Sequence, residues 1–299
     1  MTDRAVAALE QEFDVHTLVG APDPSDILDQ IGDQIQGIAG GKVNGATIAA
    51  LPKLEIIANS GVGVDSNDMP AARARGIRVT NTPDVLNVSV AELTVGLMLA
   101  LARKLPQSDR FVRVGGWADG AFSLGCELRC KKVGMLGLGR IGTEIALRLE
   151  ALQMQIAYHS RNEKDGCAYR YFSDLADMAA NSDWLVVIAP ANPSTKGIVS
   201  RNILEALGPE GKLVNVARGS LVDQAALIEL LETGGLSAAA LDVFENEPNV
   251  PSALCDLDNV VLSPHQGSRT KEAREAMDAI VVENLRAHFA GRMPPNLVK

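Results

Sequence analysis

The chain has 299 residues, enough for two domains, and its 46% hydrophobic and 22% charged residues are typical of a folded globular protein. The formal net charge of −9 argues against nucleic acid and anionic membranes as partners. The amino terminus lacks the apolar segment of a secretory signal, and the longest apolar run, residues 93–102, is half the ~20 residues of a membrane span. The four cysteines show no disulfide spacing, and the His and Cys residues are too dispersed for a metal site. We therefore expect a cytoplasmic protein without bound metal and without nucleic-acid or membrane partners.

Short apolar runs alternate with helical stretches along most of the chain. This alternation predicts βαβ units and parallel sheets, and the continuously apolar strands predict sheets that are covered on both faces. Strands are predicted at 14–19, 35–40, 46–50, 54–60, 77–82, 133–138, 155–160, 184–190, 212–217, 238–244 and 260–265. Helices are predicted at 85–103, 141–153, 173–180, 200–207, 223–233 and 270–290.

The predicted fold class is α/β, with two Rossmann-like, doubly wound parallel-sheet domains. Few residues follow the last predicted strand, so we expect the final helix to return to the first domain and make that domain discontinuous. The predicted domains are 1–96 with 267–299, and 97–266.

A glycine-rich motif lies between the predicted strand at 133–138 and a helix. The motif is G-x-G-x-x-G, in which the glycines allow a tight turn, close approach of a pyrophosphate, and packing of helix on strand. The free N–H groups and the positive dipole end of the helix favour phosphate. Because the motif joins a strand to a helix, it predicts a dinucleotide site rather than an ordinary turn. Its residues are Gly137, Leu138, Gly139, Arg140, Ile141 and Gly142.

The next predicted strand ends without the acidic residue that NAD enzymes place against the ribose 2′-hydroxyl. Ser160, Arg161 and Asn162 stand there instead, and a hydroxyl with a guanidinium suits a 2′-phosphate. We predict NADP(H) as the cofactor, with NAD(H) as a weaker one. The alternative is that Arg161 is a solvated loop residue and the protein does not select between them.

Three further predicted strand ends each carry one ionisable group of a different type: Arg218, Glu247 and His265. Ligands of doubly wound sheets bind beyond the carboxyl ends of strands, so the three groups are expected near one crevice. Together they suit the reduction of a 2-oxo acid. An arginine can hold the carboxylate, a histidine can protonate the oxygen, and a carboxylate can keep that histidine charged. Taken singly, each residue also fits an ordinary surface or strand-end role.

Six segments resemble the D-isomer-specific 2-hydroxyacid dehydrogenases, most closely their glyoxylate/hydroxypyruvate reductase branch. They are residues 59–65, 76–92, 137–142, 214–223, 240–248 and 263–268, and the resemblance covers nearly the whole chain. It implies a substrate domain from both chain ends, a central coenzyme domain and a homodimer.

The resemblance also implies roles for individual residues. Arg218 would bind the substrate carboxylate together with the loop of Val62 and Gly63, and Glu247 would be the partner of the catalytic His265. The remaining implied cofactor contacts are Val216 and Asp242 at the nicotinamide end and Ala189 and Pro190 on the adenosine side.

These observations predict an NADPH-dependent reductase of glyoxylate, hydroxypyruvate or a similar small 2-oxo acid. Two alternatives stay open at this point. One is an arylpyruvate reductase acting on 4-hydroxyphenylpyruvate, which would share the same catalytic set. The other is a cofactor-sensing, corepressor-like interaction protein without turnover.

Overall fold

The computed structural model describes residues 1–18, 20 and 24–298. The chain folds into two compact units: unit 1, the described residues of 1–86 and 269–299, and unit 2, residues 87–268. Unit 1 is therefore discontinuous. Its first boundary lies at 86/87 rather than at the expected 96/97, because the long apolar helix that begins at Asn87 belongs to unit 2. Its second boundary lies at 268/269 rather than at the expected 266/267.

Unit 1 contains a parallel sheet of three described strands, in the order β1-β2-β3. The fully buried β2 lies in the middle, with one apolar cluster around Ile57 and another around Ile56. The second cluster includes Val281 and Leu285 of the carboxyl-terminal helix, which explains why that helix belongs to this unit. The elements are α1 (Asp3–Glu10), α2 (Pro24–Ile31), β1 (Gly37–Ala39), α3 (Gly45–Ala50), β2 (Ile56–Ala58), α4 (Met69–Ala74), β3 (Arg78–Thr80) and α12 (Lys271–Phe289).

Two predicted strands of unit 1 are wrong. Residues 46–50 form most of helix α3, whose first turn is capped by the Asn44 side chain, which accepts a hydrogen bond from the N–H of Thr47 at 2.8 Å. The strand expected at 14–19 is not formed by residues 14–18, and position 19 lies outside the described residues.

Unit 2 is built on a parallel sheet of seven described strands in the order β10-β9-β8-β7-β4-β5-β6. The six strands predicted for this unit are confirmed, and only the two-residue β6 was missed. The elements are α5 (Asn87–Ala102), α6 (Leu105–Arg113), β4 (Lys132–Leu136), α7 (Arg140–Ala151), β5 (Gln155–His159), β6 (Arg170–Tyr171), α8 (Leu175–Ala180), β7 (Trp184–Val187), α9 (Arg201–Leu207), β8 (Lys212–Asn215), α10 (Gln224–Thr233), β9 (Ala238–Leu241), α11 (Ser252–Asp256) and β10 (Val260–Leu262).

The middle of the unit 2 sheet is buried on both faces, as the apolar strands predicted, whereas β5, β6 and β10 toward its two edges are partly exposed. All residues of β7 and β9 are buried. The strand order reverses at β4, which pairs with β5 on one side and β7 on the other. Such a reversal opens a crevice at the carboxyl ends of the strands, where ligands of these sheets bind. The parallel α/β class is thus confirmed. None of the helices in the described part of the chain has the length and apolar character needed to cross a bilayer.

Candidate active site

The glycine motif forms the connection from β4 to α7. Gly137 has φ +100°, and a Cβ there would lie 2.9 Å from the carbonyl oxygen of Ile188. A Cβ on Gly142 would lie 2.6 Å from the carbonyl oxygen of Gly137. Both glycines are therefore required by close backbone packing, as expected for this type of turn.

Gly139 differs from the other two glycines because a Cβ there would meet no atom within 4 Å. It is the N-cap residue of α7, and no side chain caps the helix. The first turn thus presents backbone N–H groups and the positive dipole end to open space. This arrangement fits the pyrophosphate of a dinucleotide, with Leu138, Arg140 and Ile141 in the same turn.

The predicted ribose loop follows β5 directly, at the same edge of the sheet. Ser160 Oγ donates to the carbonyl of Asn162 at 2.6 Å, which folds the loop back on itself. Arg161 is exposed, and within the described residues it makes no hydrogen bond or ion pair. An exposed guanidinium without a protein carboxylate is available to a phosphate, so the loop fits the predicted 2′-phosphate.

His265 and Glu247 are brought together by the loops after β10 and β9. Nδ1 of His265 lies 2.6 Å from Oε2 of Glu247, and Oε1 of the same carboxylate accepts the N–H of Phe244 at 3.1 Å. Because an ionised carboxylate can only accept, Nδ1 carries the hydrogen, and Nε2 is the ring nitrogen left for another partner. The His265 side chain is 46% exposed, so that nitrogen is accessible.

Arg218 lies in the loop after β8, followed by Gly219. A Cβ on Gly219 would lie 1.9 Å from the carbonyl carbon of Phe244 and 2.3 Å from the backbone nitrogen of Glu245. The backbone after Arg218 therefore packs directly on the backbone that carries Glu247. The Arg218 carbonyl accepts from Asn215 Nδ2 at 2.9 Å, which fixes the start of the loop.

Asp242, predicted to contact the nicotinamide end, has a further function in the structure. This buried carboxylate accepts hydrogen bonds from Ser263 Oγ at 2.5 Å and from the N–H groups of Gln266 at 2.8 Å and Gly267 at 3.0 Å. The backbone carbonyl of Asp242 also accepts a hydrogen bond from the N–H of His265 at 2.8 Å, and His265 has φ +49°. Asp242 thus holds the backbone around His265 in the uncommon left-handed conformation.

Sequence reasoning missed Asn215 and Ser263, which position Arg218 and His265. Both are small polar residues at strand ends, and no sequence spacing identifies their partners.

The remaining predicted cofactor residues also lie after strands. Val216 follows β8 and is buried, and Ala189 and Pro190 follow β7 at the same edge of the sheet.

The predicted cofactor and catalytic positions of unit 2 therefore follow the carboxyl ends of six parallel strands, at one edge of the sheet. Their roles toward cofactor and substrate stay predictions. Among the residues that the structure describes, no three His, Cys, Asp or Glu side chains are grouped as a metal ion would require.

Val62 and Gly63 lie in unit 1, in the loop after β2. Asn81 Nδ2 donates to the Val62 carbonyl at 2.9 Å, and Asn59 Nδ2 donates to that of Gly63 at 3.1 Å. The backbone carbonyl groups of both residues thus accept hydrogen bonds from side chains of unit 1.

Comparisons with known proteins agree with this geometry. The family model for the D-isomer specific 2-hydroxyacid dehydrogenase, NAD binding domain, matches residues 95–267. Glyoxylate/hydroxypyruvate reductase A from Arabidopsis thaliana is 47% identical over 95% of this chain and 92% of its own length. Hydroxyphenylpyruvate reductase from Plectranthus scutellarioides is 44% identical over the same shares.

A similar solved structure is that of an NADPH-dependent glyoxylate/hydroxypyruvate reductase from Sinorhizobium meliloti, in complex with NADP and malonate. It superposes with a TM-score of 0.91 and 43% sequence identity, over all of this chain and 94% of the other. On these matches, the chain belongs to the D-isomer-specific 2-hydroxyacid dehydrogenase family.

Proposed function

We propose that this protein is an NADPH-dependent reductase of small 2-oxo acids, converting glyoxylate to glycolate and hydroxypyruvate to D-glycerate. The observation that carries the proposal is the 2.6 Å contact of His265 Nδ1 with Glu247 Oε2, at the same edge of the sheet as the open glycine turn that fits a dinucleotide. Relatives named for this activity, at 43–47% identity, support the choice of substrate and cofactor.

His265 is the proton donor in this proposal. With Nδ1 held by Glu247, the imidazolium presents its Nε2–H to the carbonyl oxygen of the substrate. NADPH, when bound, supplies the hydride that the carbonyl carbon accepts. As the oxygen becomes negative it takes the Nε2 proton, which leaves a neutral imidazole still bonded to Glu247. The exposed ring then regains a proton from solvent.

Arg218 is proposed to hold the substrate carboxylate, since a guanidinium binds a carboxylate through two parallel hydrogen bonds. The N–H groups of Val62 and Gly63 are proposed as further ligands of the same carboxylate. The exposed Arg161, with Ser160, is proposed to bind the 2′-phosphate and so to favour NADPH over NADH.

We further propose a homodimer, as the family resemblance implies. Its support in the structure is three highly exposed apolar side chains in the segment that follows α6, because exposed apolar surface commonly marks a protein–protein interface. Val114 is 80% exposed, Trp117 73% and Leu124 91%. Light scattering of the parent protein and of a Trp117→Asp variant measures their molar masses and tests this proposal. A monomeric parent protein contradicts it.

A cytoplasmic location stays a prediction.

An aromatic 2-oxo acid is the second candidate substrate, because a hydroxyphenylpyruvate reductase is nearly as similar as the glyoxylate/hydroxypyruvate reductase. Oxidation of NADPH and of NADH is measured with glyoxylate, hydroxypyruvate and 4-hydroxyphenylpyruvate. Faster turnover of the small acids with NADPH supports the proposal. Preference for the aromatic acid keeps the mechanism and changes the substrate. Cofactor binding without any turnover favours a cofactor-sensing interaction protein.

A further inference from the structure

The loop Gly61–Gly63 after β2 is held by a buried asparagine pair. Nδ2 of Asn59 donates to the carbonyl oxygens of both Gly61 and Gly63, at 3.1 Å each. Oδ1 of Asn59 accepts from Nδ2 of Asn67 at 2.9 Å. The side chains are buried, with 3% and 5% exposure, so these amides have no water to replace a lost partner.

The backbone fixes the orientation of both amides. The N–H of Val43 can only donate, and it lies 3.0 Å from Oδ1 of Asn67. Nδ2 of Asn67 must then face Asn59, and Nδ2 of Asn59 must face the loop. The chain of donors therefore runs in one direction, from Val43 to the loop carbonyls.

Two residues after β3 complete the hold on the loop Gly61–Gly63. The N–H of Thr82 donates to the carbonyl of Gly61 at 3.0 Å, and Nδ2 of Asn81 donates to that of Val62 at 2.9 Å. All three carbonyl groups of the loop are thus satisfied by unit 1 itself.

The N–H groups of the same three residues are used differently. Within the described residues, the N–H groups of Gly61, Val62 and Gly63 donate no hydrogen bond. Val62 is 36% exposed, so this part of the loop is at the surface of unit 1. A loop with its carbonyls bonded inward and successive N–H groups unused is suited to an anion.

We propose that Asn59, oriented by Asn67, is the positioning residue that turns the N–H groups of the loop Gly61–Gly63 toward the substrate carboxylate. The inference rests on the proposed function, because it deepens the account of substrate binding. Asn59 does not itself touch the substrate. It acts by holding the Gly63 carbonyl and by adding a second donor to the Gly61 carbonyl, which Thr82 also holds, and so restricts rotation of these peptide units.

Gly41 offers a second way to disturb the same amide. A Cβ on Gly41 would lie 2.6 Å from Oδ1 of Asn59, closer than real contacts of this kind. Gly41→Ala should therefore displace the Asn59 amide without removing it.

The test compares Asn59→Ala and Gly41→Ala with Asn259→Ala. Asn259 is a matched control in unit 2, since its Nδ2 also donates to two carbonyls, those of Leu231 and Ser237, at 3.2 Å each. It precedes β10, whereas the candidate site follows the strands. The measurements are KM and kcat for glyoxylate, the Kd for NADPH, and the rise in Tm on adding malonate to the NADP-bound protein.

For Asn59→Ala we expect KM for glyoxylate to rise roughly tenfold, a size typical of losing one or two hydrogen bonds. The Kd for NADPH and kcat should change less than about twofold. Gly41→Ala should raise KM in the same direction, and Asn259→Ala should lower Tm while leaving KM unchanged. An unchanged KM in both Asn59→Ala and Gly41→Ala overturns the inference.

The malonate titration separates this inference from the proposed function. If the parent protein reduces no 2-oxo acid, the proposed function fails. The inference then stands only if malonate raises the Tm of the parent and not that of Asn59→Ala. Equal effects of malonate on the two proteins, or no effect on either, overturn it.

Discussion

Gly219→Ala is the substitution that most directly tests how the catalytic loops are held together. The added Cβ would lie 1.9 Å from the carbonyl carbon and 2.2 Å from the carbonyl oxygen of Phe244. Ordinary van der Waals contact needs about 3.4 Å or more, so the two backbones must separate by roughly 1.5 Å. These are backbone atoms, and no side-chain rotation can relieve the overlap. A misplacement of about 1 Å can cost on the order of 10²-fold in rate.

We therefore expect Gly219→Ala to lower kcat/KM with NADPH and glyoxylate by about 10² or more. The Kd for NADPH should change little, because the glycine turn before α7 is untouched. Gly96→Ala is the control: Gly96 is an exposed helix residue in unit 2 where a Cβ meets nothing within 4 Å. Activity of Gly219→Ala within about threefold of the control would refute the claim that this contact positions the Arg218 and Glu247 loops.

Four further outcomes are expected. Glu247→Gln should lower kcat about 10- to 100-fold, the size of a lost charged hydrogen bond, with an unchanged Kd for NADPH; an unaltered kcat would remove Glu247 from the mechanism. Arg161→Ala should weaken NADPH about 10- to 100-fold and leave NADH unchanged in titrations of the free protein, and equal losses would contradict the 2′-phosphate contact. Leu204→Ala, at a fully buried site, should cost about 2–5 kcal/mol in urea unfolding, and a loss below ~1 kcal/mol would contradict tight packing there. Burial raises the pKa of Tyr158 above its ordinary value, so unfolding releases a proton above about pH 10 and the free energy of unfolding falls as pH rises; Tyr158→Phe should flatten that slope.

Local patterns were sufficient to predict most of unit 2. Most of its strands are apolar runs separated by turns that contain glycine, so their type and their positions along the chain could be predicted from sequence. Residues 46–50, Ala-Thr-Ile-Ala-Ala, show where such patterns fail. This short apolar run is compatible with strand or helix, and the Asn44 cap decides for helix. The strand β6, with only Arg170 and Tyr171, is too short to give any periodicity.

The candidate site likewise has parts that could be predicted from the sequence and parts that could not. The glycine turn and the groups at strand ends, such as His265, could be predicted because parallel strands bring their carboxyl ends to one edge. The supporting contacts could not. That Asp242 holds the backbone at Gln266 and Gly267, or that Gly219 packs on Phe244, depends on register between strands that are far apart in sequence. Nothing in a single sequence reports such a register.

The central claim is that His265 donates the proton in the reduction of a 2-oxo acid. The most direct measurement is NADPH oxidation by His265→Gln at saturating glyoxylate, together with its Kd for NADPH. The account predicts a fall in kcat on the order of 10²–10⁴-fold, typical of losing a general acid, with cofactor affinity unchanged. Turnover within a few fold of the parent protein, with NADPH still bound, would contradict it.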